Sequence, residues 1–237
     1  MSFFAFNTSG CADGNRRYGG MTVAEAFPDS AVRELAKAAA TGQNTIVDEL
    51  INKGTDVNAT GTKGVTPLWW SIIVYDFAGF AHLLDNGANP NIQPIGHQNV
   101  MDLAAMAKDP EFLDAAIKAG GDVNLVSRFD GTTPIFSAII GRDLRNIEQL
   151  VSHGADLNFQ DPTGKTPLIA AADINGFDMV YYLLTRGADP TLRTRTGQTV
   201  LFSIKNNRID PKSEGFRWRQ KVIDLLKAKG VDVESGQ

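Results

Sequence analysis

Apolar positions along this chain fall in short helical stripes, each closed by glycine. Val32, Leu35, Ala36 and Ala39 lie three or four residues apart and predict an amphipathic helix capped by Asp29 or Ser30 and broken at Gly42. Ile46, Val47, Leu50 and Ile51 predict a second helix, stopped by Gly54 in the left-handed conformation that glycine adopts without penalty. An extended polar link follows, and then the pattern begins again. Second helices end in the apolar pairs Leu83-Leu84, Ala116-Ile117, Leu150-Val151, Leu183-Leu184 and Leu225-Leu226. One helix pair cannot bury such a face alone, so the pairs are expected to pack between neighbouring copies.

The recurrence is nearly exact in length. Gly54-Thr55-Asp56-Val57-Asn58, Gly87-Ala88-Asn89-Pro90-Asn91, Gly120-Gly121-Asp122-Val123-Asn124, Gly154-Ala155-Asp156-Leu157-Asn158 and Gly187-Ala188-Asp189-Pro190-Thr191 begin 33, 33, 34 and 33 residues apart. A worn sixth copy, Gly230-Val231-Asp232-Val233-Glu234, comes 43 residues later. A fixed period of this length predicts a solenoid. Helix starts repeat as well: Thr66-Pro67, Thr133-Pro134 and Thr166-Pro167 each offer a capping hydroxyl and a proline at the first helical position.

Gly-x-Thr-Pro-Leu, small-residue helices such as Ala170-Ala171-Ala172, the Leu-Leu pairs and Gly-Ala-Asp-x-Asn together resemble the ankyrin repeat. The resemblance runs over about residues 30–234. It implies an all-α repeat solenoid with β-hairpin fingers, of about six repeats including caps: 28–61, 62–94, 95–128, 129–161, 162–194 and 195–237, after an N-terminal arm over 1–27. The sequence departs from the pattern at four places. Trp69 stands where His is usual, the third repeat lacks Thr-Pro, the first lacks the finger, and the last carries an insertion over Asn206 to Trp218. The Asp-Pro and Glu-Gly steps of that insertion mark a loop.

Composition narrows the function. The net charge of −4 argues against general nucleic-acid binding. No apolar run is long enough to span a bilayer. One cysteine, Cys11, and three scattered histidines supply neither a disulfide nor a metal set, so no metal and no cofactor is expected. Thr8-Ser9-Gly10-Cys11-Ala12 is similar to the end of a bacterial lipoprotein signal, but it lacks the basic start and the long apolar stretch, and a free cysteine on an irregular arm explains it better. A periplasmic location, with a lipid anchor at Cys11, is expected if that segment is a signal, and a cytoplasmic one otherwise.

No nucleophile, base and orienting group come together in any motif, so the chain is read as not an enzyme. The repeated Asp56, Asp122, Asp156 and Asp189 are expected to bond their own turns rather than to form an acid–base or metal site. The ankyrin resemblance implies instead that a partner protein meets the first helices and the finger tips. On the helices the candidates are Trp70, Ile73, Val74, Met106, Ala107, Ser137, Ile140, Gly141, Asp173 and Ile174, with Trp69 and Ile73 assigned to the core and Trp70, Met106 and Ile174 expected at the surface. On the fingers they are Lys63, Val65, Gln93, His97, Arg128, Phe129, Asp130, Gln160, Lys165, Arg193 and Arg195. Phe129 stands out as an aromatic at a tip. Arg193 and Arg195, alternating along an extended link, are expected to point the same way and to grip carboxylates. The lead-in Thr22 to Asp29 resembles that of bacterial ankyrin proteins, some of which are immunity proteins that inhibit secreted toxins such as phospholipases. Two readings follow: a 1:1 complex of a monomer with a toxin, or a cytoplasmic regulatory scaffold for an enzyme.

Overall fold

The computed structural model describes residues 17–233, so Cys11 and the signal-like segment lie outside the described residues. The described residues form thirteen α-helices and no strands. After a short α1 (Val23–Ala26), they come in pairs: α2 (Ser30–Ala39) with α3 (Asn44–Asn52), α4 (Pro67–Val74) with α5 (Phe77–Asp85), α6 (Val100–Met106) with α7 (Glu111–Lys118), α8 (Pro134–Gly141) with α9 (Leu144–Ser152), α10 (Pro167–Asp173) with α11 (Phe177–Thr185), and α12 (Val200–Asn206) with α13 (Glu214–Ala228). The chain divides into an N-terminal unit ending at Asp130 and a C-terminal unit beginning at Gly131.

In the N-terminal unit α2 packs on α4, α4 on α6, and α5 on α7. The closest approach is at Gly79, where a Cβ would lie 1.7 Å from the Ala39 carbonyl oxygen, so α5 reaches α2 only because that residue is glycine. Tyr75, Phe77 and Phe80 surround the buried Phe112 with ring centroids 4.9–5.2 Å away. In the C-terminal unit α8, α10 and α12 stack in turn, and α11 packs on α13. The apolar pairs seal these contacts: Leu183 and Leu184 have no exposure.

The expected caps form at Thr66 and Thr166, whose hydroxyls accept the N–H of Trp69 at 3.1 Å and of Ile169 at 3.3 Å. Thr133 makes no such bond. The fingers are not β-hairpins. Three of them close through isolated backbone bonds, Gly61 N–H to Val65 O (2.8 Å), Asp161 N–H to Lys165 O (3.0 Å) and Thr194 N–H to Gln198 O (2.9 Å), and a single pairing makes no ladder. Neighbouring fingers are tied by Ile95 N–H to Lys63 O (2.7 Å) and by Arg195 N–H to Thr163 O (2.9 Å).

The recurring phrase has a double role. Its third residue bonds its own turn, as expected: the side chains of Asp56, Asn89, Asp122, Asp156 and Asp189 each accept the N–H two residues on, at 2.8–2.9 Å. Its last residue ties one repeat to the next. Asn58 donates to Gly87 O (3.0 Å) and accepts from Asn89 N–H (2.7 Å). Asn91 does the same with Gly120 O (2.9 Å) and Asp122 N–H (2.8 Å), and Asn158 accepts from Asp189 N–H (2.8 Å).

The arm is more than a lead-in. Thr22 and Glu25 form a capping box at α1, Phe27 is fully buried, and Tyr18 lies edge-on to Trp70 with centroids 5.7 Å apart. In the insertion, Glu214-Gly215 begins α13 rather than a loop, because the Ser213 hydroxyl caps that helix by accepting Phe216 N–H at 3.2 Å.

Candidate partner-binding surface

Finger tips are held by side-chain bonds to the next finger. In the N-terminal unit Gln93 donates to Val126 O (3.1 Å) and accepts from Arg128 N–H (2.8 Å). Ser127 Oγ accepts the N–H of Phe129 at 3.3 Å. These bonds fix the backbone around Phe129, whose side chain nevertheless stands 53% exposed between exposed Arg128 and Asp130. An aromatic ring exposed on an anchored backbone is able to enter a partner's pocket with little ordering cost.

On the first helices of this unit Trp70 corrects the expectation of a surface residue. It is only 3% exposed, because Tyr18 and Phe27 of the arm cover it edge-on at 5.7 and 5.9 Å. The core assignment of Trp69 holds, with its Nε1 donating to Gln98 O at 2.8 Å. Val74, Ile73 and Met106 are half-buried, while Ala107 is buried. Tyr18, Trp69, Ile73, His97, Leu103 and Met106 line a shallow, mostly apolar surface pocket. Val65, expected at a tip, is fully buried.

Under the same unit lies a polar group that the periodicity hides. Asp102 falls at the helix position held by Trp69, Phe136, Ile169 and Phe202 in the other repeats, and it is 1% exposed. Asn99 donates to its Oδ2 at 2.7 Å, while Oδ1 has no partner. Burial, with a contribution from the charge of Asp130, raises its pKa from 3.8 to about 7, against the opposing bonds from Ser127 and Asn99. His97 titrates below its ordinary value through burial and the nearby charge of Lys63.

In the C-terminal unit Ile140 is 55% exposed at the end of α8, as expected, but Ser137 is buried. Asp173 is not free for a partner: Lys165 donates to its Oδ2 and Ser203 to its Oδ1, both at 2.5 Å. Ile174 is half-buried, and its carbonyl accepts from Arg142. Gln160 bonds the Arg193 carbonyl at 2.9 Å and so serves the finger rather than a ligand. Arg193 and Arg195 are exposed, but they do not alternate along one strand. Arg195 sits inside the turn closed by Gly197 N–H to Thr194 O (2.9 Å), and the Arg193 guanidinium folds back to Gly197 O (3.1 Å). Sequence reasoning missed Phe202, 44% exposed on α12. Phe136 and Ile169 are 5% and 3% exposed at the same helix position in earlier repeats.

Residues 101–194 match the family model described as ankyrin repeats (3 copies), and this stretch carries ankyrin repeats. Such repeats are protein–protein interaction modules. The fold agrees with that of the ankyrin repeat domain of Bcl-3, at TM-score 0.72 and 24% identity over 87% of this chain and 88% of that one. A chain in the structure of the Bd0816 predatory endopeptidase from Bdellovibrio bacteriovorus in complex with immunity protein Bd3460 aligns at TM-score 0.64 and 23% identity, over 83% of this chain and 97% of that one. By sequence, the chain is 30% identical over 115 residues to Protein PhlB of Serratia liquefaciens, which is 48% of this chain and 51% of PhlB. The chain thus spans about half the length of this curated relative.

Proposed function

We propose that the chain is a non-catalytic clamp for another protein, meeting it with its finger tips and the exposed ends of its first helices. The observation that carries this reading is Phe129, exposed on a finger whose backbone is fixed through Gln93 and Ser127. Arg128 and Asp130 flank it with both signs of charge. Trp70 is left out, since the arm buries it. The partner we infer is a secreted hydrolytic toxin, and the chain its immunity protein. The likeness in fold to a chain from an endopeptidase–immunity protein complex supports this choice over the cytoplasmic scaffold.

The test is capture of partners by the tagged chain beside a Phe129→Ala variant, with mass spectrometry of what is retained. A stoichiometric hydrolase, inhibited by the chain and lost from the variant, is the expected result. A non-toxin partner recovered from the cytoplasm contradicts the immunity reading. A partner held equally by the variant contradicts the finger surface.

A further inference from the structure

Residues 186–229 hold eleven Lys and Arg against four Asp and Glu, in a chain whose net charge is −4. Part of this surplus sits on the connection that the repeat pattern does not explain. Elsewhere two to four residues join the helices of a repeat, but seven, 207–213, join α12 to α13. The loop is built rather than loose. Asn207 Nδ2 donates to Ala172 O at 2.8 Å, and Asp210 Oδ1 accepts Lys212 N–H at 2.9 Å. Ser213 Oγ donates to Asp210 O at 2.6 Å, and the side chain of Ile209 packs against Gly215.

The loop spends its acidic side chain on its own backbone and leaves Arg208 and Lys212 exposed. α13 continues the array. Arg217 and Lys221, four residues apart, lie on one exposed face. Lys221 Nζ rests 3.9 Å over the Trp218 ring, which in turn packs against Tyr181 with centroids 5.6 Å apart. Among the described residues, Arg208, Lys212, Arg217 and Lys221 form no ion pair with a carboxylate.

We infer that the 207–213 loop and the exposed edge of α13 are a docking surface for a carboxylate-rich segment of a partner protein. Charge complementarity selects the occupant. Four cations without carboxylate partners, two of them forked guanidiniums, suit discrete carboxylates. Glu214 and Asp224 interrupt the array, which suits an uneven acidic peptide better than an unbroken run of phosphates. The net negative chain opposes a long polyanion. Among the described residues, 207–233 expose no large apolar side chain to enter a membrane.

This inference rests on the protein-binding reading and extends it to a second surface, so its test must separate the two. A fluorescent Glu/Ser peptide is titrated into the full chain, into Arg208→Gln/Lys212→Gln/Arg217→Gln/Lys221→Gln, and into Phe129→Ala. Single-stranded RNA and phosphatidylserine vesicles are titrated in parallel, and melting curves confirm that the variants fold. The peptide should bind more weakly as salt rises, bind about tenfold more weakly to the fourfold variant, and bind Phe129→Ala as it binds the wild type. Equal binding to the fourfold variant, or no binding at low salt, overturns the inference, as does tighter binding of RNA or vesicles through the same four residues. A partner captured through Phe129 leaves the clamp reading standing in each of those cases.

Discussion

Asn99 Nδ2 donates to Asp102 Oδ2 at 2.7 Å, while Asn99 Oδ1 accepts the N–H of Asp102 at 2.9 Å. The reciprocal pair caps α6 without the Thr-Pro device and holds a carboxyl group where three other repeats bury Trp69, Phe136 and Ile169. Because burial raises the pKa of Asp102 to about 7, the folded chain binds this proton more tightly than the unfolded chain. The stability contributed by the group is therefore greatest at low pH. It declines as pH rises from about 4 to about 7 and then levels off, a loss on the order of 4 kcal/mol. Asp102→Asn should flatten this part of the profile and raise the melting temperature above pH 7. Denaturant melts from pH 4 to pH 8 check both.

Asn58 forms two bonds to the next repeat. Asn58→Ala should cost about 1–2 kcal/mol and speed hydrogen exchange at the Asn89 amide. Unchanged exchange at Asn89 would show that the staple is idle.

Gly79→Ala places a methyl group against the Ala39 carbonyl. The expected loss is about 2 kcal/mol or more, as α5 is pushed away from α2. Urea unfolding measures it, and Ala78→Gly, at an exposed neighbour, serves as the control.

Tyr18→Ala uncovers one edge of Trp70. Tryptophan emission should move to the red, with about 1 kcal/mol of stability lost. An unchanged spectrum would mean that the arm does not shield that ring in solution.

Much of the fold is legible in the sequence because the period fixes which residues face each other. The helices, the glycine stops and the turn-bonding Asp residues all recur in register. The period is blind to what breaks it. Trp70 reads as a surface residue by its helix position, and only the non-repeating arm, through Tyr18 and Phe27, buries it. Phe202 is exposed at a helix position where Phe136 and Ile169 are buried. Val65, Gln93 and Gln160 read as tip contacts, but they fill or tie the fingers themselves. The exposure of Phe129 was legible, since no apolar stripe passes through that finger.

Binding at Phe129 is the central claim, and the most direct measurement is the Kd of the captured partner for the wild-type chain and for Phe129→Ala by titration calorimetry. A loss of about 2 kcal/mol, roughly thirtyfold, with an unchanged melting temperature is the predicted result. Equal affinity for the two chains would contradict it and move the interface away from the finger.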